Sequence, residues 1–265
     1  MMLPFAVACP VIGMLHLPAL PGAPLATLAL NGIREWMLRD AEALASGGVD
    51  GLMLENFGDT PFFPGRVPAY TVAAMTVLAR DLKSHFSMPL GINLLRNDGL
   101  GALAVAAAAG ADFIRINVFT GARLTDQGIV QGEAHEVLRL RRQLGCPVRI
   151  FADVAVKHSA PLAPRSLEEE IEDTIHRAHA DAIIVSGAGT GRPTDIEEVR
   201  RAKAPAGNTP VLVGSGASPG QAAELLRNAD GLIVGTAFKT GGVTTNPVDA
   251  ARVRAFMDLV AGVRA

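Results

Sequence analysis

The stretch VRIFADVAVKH (148–158) carries the pattern that decides the fold, a run of apolar residues that finishes on charged and polar ones. Seven further apolar runs also end on polar residues or glycine: VIGMLH (11–16), GLMLEN (51–56), PLGIN (89–93), FIRIN (113–117), AIIVSG (182–187), VLVGSG (211–216) and LIVGT (232–236). Helix-length stretches separate these runs. Eight buried strands alternating with helices predict an α/β fold, the (β/α)8 TIM barrel, whose active site lies at the carboxyl ends of the strands.

Length and composition agree with one barrel. The chain has 265 residues, of which 49% are hydrophobic and 19% charged, and this is enough for one large core. We therefore expect a single (β/α)8 domain over residues 1–265. A doubly wound open sheet uses similar local units but normally has fewer parallel strands. The formal net charge of −2 and the scattered arginines argue against a nucleic-acid partner.

The apolar segments do not resemble membrane or secretion signals. The start of the chain (1–15) is apolar but has no basic region and contains two prolines. The run GALAVAAAAGA (101–111) is shorter than the roughly 20 residues that span a bilayer. Cys9 and Cys146 each precede a predicted strand, which favours reduced, buried thiols over a disulfide. We expect a cytoplasmic protein with no integral membrane segment.

The polar strand ends supply the candidate catalytic residues. Residues two apart in a strand share a face, so the polar ends can point into the barrel near its top. The candidates are His16, Glu55, Asn93, Arg115, Asn117, Asp153 and Lys157. A buried charge is costly unless it is paired or used, so we expect Glu55, Asp153 and Lys157 to pair or to meet a ligand. Lys157 could act as a base or Schiff-base nucleophile, with Asp153 or Glu55 moving the proton.

Each candidate also has a structural interpretation. Arg115 could form an ion pair inside the barrel with Asp153 or Glu55. Asn93 and Asn117 could tie strand ends to loop backbones, and His16 could be a satisfied core histidine. No cofactor is indicated. The carboxylates could hold a divalent metal with His16, but no HxH or HxxxH spacing supports this, so no metal ligand is assigned.

Glycine-rich strand ends predict a phosphate site. In barrel enzymes the loops after the seventh and eighth strands often bind phosphate through backbone N–H groups. The candidate residues are Gly214, Ser215 and Gly216 after the seventh strand, Gly235 and Thr236 after the eighth, and Ser186, Gly187, Thr190 and Gly191 in the neighbouring loop. The alternative interpretation is a set of tight turns beside small core residues.

Three connections are longer than a strand-to-helix turn requires. Residues 58–70 contain three prolines and two phenylalanines, and we expect this loop to lie over the mouth as a lid. Residues 119–135 and 158–170 form the other two long loops. We expect all three to shape specificity.

Seven motifs together resemble the BtpA family over nearly the whole chain: GMLHLPALPGAP (13–24), GLMLENFGDTPF (51–62), GINLLRNDG (91–99), FIRINVFTGA (113–122), DVAVKHSAPLA (153–163), VSGAGTGRPT (185–194) and VGSGA (213–217). That family includes proteins linked to photosystem I biogenesis and bacterial members in sugar-related gene settings. The resemblance implies a barrel of the ribulose-phosphate-binding kind but no settled reaction. Carried over by motif, its shared strand-end residues add Asn56 and His158 to the candidates above.

Three functions follow as hypotheses. The first is a cytoplasmic enzyme that acts on a phosphorylated sugar or related phosphate-bearing metabolite as an isomerase or lyase, with a homo-oligomer as a possible assembly. The second, implied by the resemblance, is an assembly or stabilisation factor for a membrane complex such as photosystem I, with an exposed apolar patch around Phe62 and Phe63. The third is a nucleoside-cleaving hydrolase or phosphorylase, whose carboxylates would stabilise a ribosyl cation.

Overall fold

A computed structural model describes residues 3–156, 158–187 and 194–264. Eight of its strands form a closed parallel barrel, as expected, in the order β1-β2-β3-β4-β7-β9-β10-β11 and back to β1. The strands in chain order are β1 (Val11–His16), β2 (Gly51–Glu55), β3 (Leu90–Asn93), β4 (Phe113–Ile116), β5 (Ala122–Thr125), β6 (Gly128–Gln131), β7 (Arg149–Val154), β8 (Ser159–Pro161), β9 (Ala182–Val185), β10 (Val211–Val213) and β11 (Gly231–Val234).

Helices cover the outside of the barrel. They are α1 (Leu30–Ser46), α2 (Ala69–His85), α3 (Gly99–Ala109), α4 (Ala134–Leu144), α5 (Leu167–Glu172), α6 (Ile196–Ala206), α7 (Pro219–Asn228) and α8 (Ala250–Arg264). A π-helical segment continues α5 over Asp173–Arg177, and two short 3₁₀ turns, Thr236–Phe238 and Thr240–Gly242, follow β11. The outward faces of the strands pack on the helices in one large apolar core.

The inward faces of the strands form a second, separate core. It contains Met14, Met53, Phe113 and Phe151 among its buried members, and the rings of Phe113 and Phe151 stack at 4.6 Å between centroids. Gly91 makes room for this stack, because a Cβ there would lie 2.2 Å from a Phe113 ring atom. Each of these apolar residues lies two positions before a predicted polar residue on the same strand. The barrel interior is therefore apolar below and polar at its carboxyl end.

The predicted fifth strand ends earlier than its apolar run. β7 stops at Val154, because Ala155 adopts a left-handed conformation with φ of 48°. Phe151 and Asp153 lie on the inward face of β7, and this face does not continue to Ala155. Lys157 lies outside the described residues.

The segment before β1 closes the bottom of the barrel. Phe5 belongs to the interior core and is only 8% exposed. Its ring meets Phe113 edge-on at 5.7 Å, and a Cβ on Gly51 would lie 2.6 Å from it. One aromatic side chain thus seals the end of the barrel opposite the mouth.

Two of the long loops contain a small antiparallel sheet that the sequence pattern did not reveal. β5 pairs with β6 on one side and with β8 on the other. Val130 of this sheet packs with Val118 and Val156 in a small core of its own. The residues expected to form two separate specificity loops therefore form one structure beside the mouth.

A buried ion pair joins the last connection to the first helix. Lys239 and Asp40 are each 1% exposed, and Lys239 Nζ lies 2.8 Å from Asp40 Oδ2. Burial lowers the pKa of Lys239, while the charge and hydrogen bond of Asp40 oppose that change. The backbone N–H of Val248 donates to the other oxygen of Asp40. The segment that follows β11 is therefore held against α1.

Among residues 3–156, 158–187 and 194–264, no helix is both long and apolar enough to cross a bilayer. Cys9 and Cys146 are free thiols and only half-buried, rather than fully buried as expected. Burial raises the pKa of the Cys9 thiol, and the charge of Asp230 acts in the same direction.

We predict that Phe5→Ala lowers the free energy of unfolding by about 3 to 5 kcal/mol, the usual cost of emptying an aromatic site in a core. Urea denaturation followed by circular dichroism measures this loss. Phe63→Ala is the control, since Phe63 is 50% exposed and should change stability by no more than about 0.5 kcal/mol. Equal stabilities of the two variants would contradict the sealing role of Phe5.

Candidate active site

A cavity of about 430 Å³ opens at the carboxyl ends of the barrel strands. It extends from the loops after β10 and β11 across β1 and β2 to the end of β3. Predicted site residues that line it are His16, Glu55, Arg115, Asn117, His158, Gly214, Ser215, Gly216, Gly235 and Thr236. The structure thus brings most of the predicted residues into one cavity.

Arg115 and Asp153 form a buried ion pair at the centre of the barrel. Arg115 Nε and Nη2 donate to the two oxygens of Asp153 at 3.0 and 2.9 Å. Asn117 Nδ2 donates to Asp153 at 2.5 Å, and Ser186 Oγ lies 3.5 Å from the other oxygen. Burial alone would lower the pKa of Arg115, but the charge and hydrogen bonds of Asp153 outweigh it and raise that pKa. This geometry matches the structural interpretation of Arg115, and it leaves Nη1 of Arg115 without an acceptor among the described residues.

His16 and Glu55 meet at the ends of two adjacent strands. The register of β1 and β2 places them side by side, and His16 Nε2 lies 3.7 Å from Glu55 Oε1. The ring of Phe57 lies 4.7 Å from the His16 ring. Gly235 leaves space for His16, because a Cβ there would be 2.6 Å from His16 Cε1. A carboxylate and an imidazole therefore share the wall of the cavity, which suits proton transfer.

The asparagines mainly connect strand ends. Asn93 Nδ2 donates to the backbone oxygen of Arg115 at 3.1 Å, so it ties β3 to β4. Asn56 accepts from the N–H of Leu95 at 2.8 Å and donates to Asp59. The Oδ1 atoms of Asn93 and Asn117 are both buried and have no hydrogen-bond partner in the described part of the chain. Of these two residues Asn117 lines the cavity, so its Oδ1 can accept a hydrogen bond from a ligand.

The glycines of the predicted phosphate loops are explained by packing. A Cβ on Gly214 would lie 2.3 Å from Ile184, 2.8 Å from Ser186 Oγ and 3.0 Å from Arg115 Nη2. Gly216 has a φ of 75°, a conformation that favours glycine. Gly214 therefore makes room for Ile184, Ser186 and the guanidinium of the central ion pair.

The anion-binding capacity lies in the residues around those glycines. The N–H groups of Gly216 and Ala217 after β10, and of Thr236 and Ala237 after β11, donate to no backbone oxygen within the described ranges. Ser215 Oγ is buried and also lacks a partner there. All five residues line the cavity. Backbone N–H groups in the loops after the last two strands of a barrel often bind phosphate.

The expected lid forms part of the cavity wall. Thr60 and Phe62 line the cavity, whereas Phe63 is exposed. The lid is fastened at both ends: Leu20 N–H donates to Asp59 at 2.7 Å, and Val67 N–H donates to Asp98 at 2.9 Å. Burial raises the pKa of Asp59.

The cavity residues that the sequence patterns did not indicate include Phe57, Arg96 and Arg252. Phe57 directly follows the strand-end pair Glu55 and Asn56, so its position was a usable signal. Arg96 is 6% exposed, and burial lowers its pKa. Arg252 lies on α8, and no local pattern connects it with the mouth.

Some predicted residues lie elsewhere. Ser186 and Gly187 are buried and do not line the cavity, and the hydroxyl of Ser186 lies near both Asp153 and Gly214. Lys157, Thr190 and Gly191 lie outside the described residues. Within the described ranges, no three His, Cys, Asp or Glu side chains converge as metal ligands.

The fold and site define a TIM barrel with a cavity at its strand ends. A solved barrel that it resembles is N-(5'-phosphoribosyl)anthranilate isomerase from Pyrococcus furiosus, with a TM-score of 0.58 and 14% identity over 96% of this chain and all of that one, which shows the fold alone. The chain belongs to the BtpA family, whose model matches residues 7–262.

Two relatives extend the comparison. The chain is 45% identical over 252 residues to the photosystem I biogenesis protein BtpA of Synechocystis, covering 95% of this chain and 88% of the relative. It is 44% identical over 255 residues to the uncharacterised protein TK2179 of Thermococcus kodakarensis, covering 96% of each. These matches confirm the resemblance drawn from the motifs.

We predict that Arg115→Met lowers the free energy of unfolding by about 3 to 5 kcal/mol, because it leaves the Asp153 carboxylate buried without its cation. The double variant Arg115→Met/Asp153→Leu should recover most of this loss, since it removes both charges. Urea denaturation of both variants and of the wild type measures the difference. A single variant as stable as the wild type would show that the pair does not hold the barrel centre.

Proposed function

We propose that this protein is an enzyme that binds a sugar phosphate or a related phosphate-bearing metabolite in the mouth of the barrel and acts by acid–base chemistry, as an isomerase or lyase. One observation carries the proposal: the cavity combines two loops, whose N–H groups have no backbone acceptor among the described residues, with the His16–Glu55 pair. The related barrel named above is, by its name, an isomerase of a phosphoribosyl compound. We place the reaction in the cytoplasm, the compartment expected from the sequence.

The loops after β10 and β11 hold the phosphate in this proposal. Gly216, Ala217, Thr236 and Ala237 donate their N–H groups, and Ser215 Oγ donates a further hydrogen bond. Thr194 Oγ1 donates to the backbone oxygen of Ser215 at 2.5 Å and so fixes the first loop. Preformed donors bind an anion without a reorganisation cost.

Glu55 and His16 carry the proton transfer. The cavity borders both side chains, and Glu55 is 6% exposed, so its carboxylate works in a largely water-free environment. Glu55 takes a proton from the carbon or hydroxyl group of the bound sugar, and His16 holds the carboxylate in position or exchanges the proton with it. Nη1 of Arg115 and Oδ1 of Asn117 orient the hydroxyl and carbonyl groups of the ligand.

Asp153 acts as a positioning residue in this proposal. Both of its oxygens are already occupied by Arg115 and Asn117, so it orients Arg115 rather than moving a proton. Lys157 keeps the role of base or electrophile as a prediction from the sequence. His158 next to it lines the cavity.

The aromatic wall favours a second candidate, a nucleoside-cleaving hydrolase or phosphorylase. Phe57 and Phe62 are half-buried and border the cavity on the side of β2, away from the phosphate loops. Aromatic rings can stack on a planar base, and Glu55 could then stabilise a ribosyl cation. Tighter binding of a nucleoside monophosphate than of ribose 5-phosphate would support this candidate.

The Synechocystis relative favours an assembly role as a third candidate. The apolar patch expected around Phe62 and Phe63 is divided, because Phe62 lines the cavity. A larger exposed apolar face lies on the small antiparallel sheet, with Leu124, Ile129 and Leu162 each more than half exposed. Leu124 and Ile129 are direct cross-strand neighbours. Failure of the mouth to bind any phosphate-bearing compound would favour this role.

We predict that the wild-type protein binds ribose 5-phosphate more tightly than ribose, and that Thr236→Asp abolishes this difference by placing a negative charge in the anion site. Thr236→Asn is the matched control, because it has the same shape without the charge and should keep most of the affinity. Isothermal titration calorimetry measures both. Equal affinities of the two variants would contradict the phosphate site.

We predict that Glu55→Gln keeps the affinity for a compound turned over by the wild type but lowers its rate about 10²- to 10⁴-fold, the usual contribution of a general acid or base. Proton NMR in deuterium oxide follows the conversion together with the exchange of sugar protons. Conversion at the wild-type rate would remove Glu55 from the mechanism.

A further inference from the structure

Arg252 is a cavity-lining cation that the structure leaves without an ion-pair partner. It borders the cavity beside Gly235, Thr236 and Ala237. Arg115, another arginine of the cavity, is paired with Asp153. For Arg252, by contrast, no carboxylate oxygen lies within 4.0 Å of a guanidinium nitrogen among the described residues.

The guanidinium of Arg252 is anchored to the predicted phosphate loop. Its Nε donates to the backbone oxygen of Ala237 at 3.0 Å. That bond leaves the two terminal amino groups for other acceptors. A Cβ on Gly242, which has a φ of 70°, would lie 3.9 Å from Nη2, so the next turn of the chain also passes close to this group. The side chain is therefore held at the edge of the loop in which the N–H groups of Thr236 and Ala237 have no backbone acceptor within the described ranges.

Arg252 is exposed at the edge of the cavity, and the local structure of α8 does not stabilise its positive charge. Arg252 lies in the first turn of α8, where the helix dipole disfavours a positive charge. The carboxylate of Asp249 caps this turn by accepting from the N–H groups of Ala251 and Arg252 at 2.9 and 3.3 Å. It does not pair with the guanidinium. An anion in the cavity would satisfy both Arg252 and the neighbouring N–H groups.

We propose that Arg252 binds the phosphate of the ligand, and that this ligand carries a terminal phosphate monoester at the end of the cavity formed by β10 and β11. This inference rests on the proposed function and makes it more specific. The buried Ser215 Oγ, which lacks a described partner, provides a second, independent donor at the same end. A monoester dianion matches a guanidinium with two free amino groups better than a neutral hydroxyl group does.

The test compares Arg252→Met with Arg254→Met in calorimetric titrations with inorganic phosphate, ribose 5-phosphate and ribose. Arg254 is, like Arg252, an exposed arginine on α8, but it does not line the cavity, so its variant is the matched control. We expect Arg252→Met to weaken the binding of both phosphate compounds about tenfold and to leave ribose unaffected. Arg252→Lys should fall between Arg252→Met and the wild type, and Arg254→Met should match the wild type.

Each other outcome overturns the inference in a distinguishable way. If Arg252→Met binds ribose 5-phosphate as tightly as the wild type while Thr236→Asp does not bind it, the phosphate site is present without Arg252. If Arg252→Met weakens ribose and ribose 5-phosphate equally, the residue supports the cavity structurally. If the wild type binds neither phosphate compound, the proposed function fails and the inference fails with it. Melting temperatures of the unliganded variants show whether each one is folded.

Discussion

The buried ion pair of Arg115 and Asp153 is the interaction around which the mouth of the barrel is arranged. It joins the adjacent strands β4 and β7 inside the barrel, where a single unpaired charge would be strongly destabilising. Its neighbours are fitted to it: Asn117 and Ser186 approach the carboxylate, and Gly214 leaves space beside the guanidinium. The pair therefore fixes the floor of the cavity on which any ligand would lie.

The two sides of the cavity have different chemistry because they come from different strands. The loops after β10 and β11 offer backbone N–H groups, and α8 contributes Arg252 beside them. These donors suit an anion. The loop after β2 offers Phe57 and Phe62, which suit an apolar or planar group. The His16–Glu55 pair lies between these two regions, at the ends of β1 and β2. Binding of an anionic group by the loops after β10 and β11 would thus position the rest of the ligand beside the His16–Glu55 pair.

The barrel was predictable because its signals are local. An apolar run that ends on a polar residue reports both a strand and the direction of its carboxyl end, so all eight barrel strands and the inward positions of His16, Glu55 and Arg115 could be predicted. The conformation of Ala155, which ends β7 early, has no such signal, because alanine rarely adopts a positive φ. The roles of the site residues stay predictions, because strand periodicity indicates where a side chain points and not which reaction it takes part in.

The remaining features depend on contacts between distant segments. The sheet of β5, β6 and β8 forms from two separate polar loops, and neither loop alone carries a strong strand pattern. Arg252 reaches the mouth from α8, whose position depends on the completed barrel. Gly214 and Gly235 illustrate a different limit: the sequence pattern identified them, but their close packing against Arg115 and His16 depends on the completed barrel and could not be predicted from that pattern.

We propose that the mouth of the barrel binds a phosphate-bearing small molecule. A crystal structure of the protein grown with ribose 5-phosphate is the most direct test of this binding. We expect electron density for the phosphate with its oxygens about 2.7 to 3.2 Å from the backbone nitrogens of Gly216, Ala217, Thr236 and Ala237. The sugar should lie beside Glu55. Density for the compound outside the mouth, or an empty mouth at saturating concentration, would contradict this proposal.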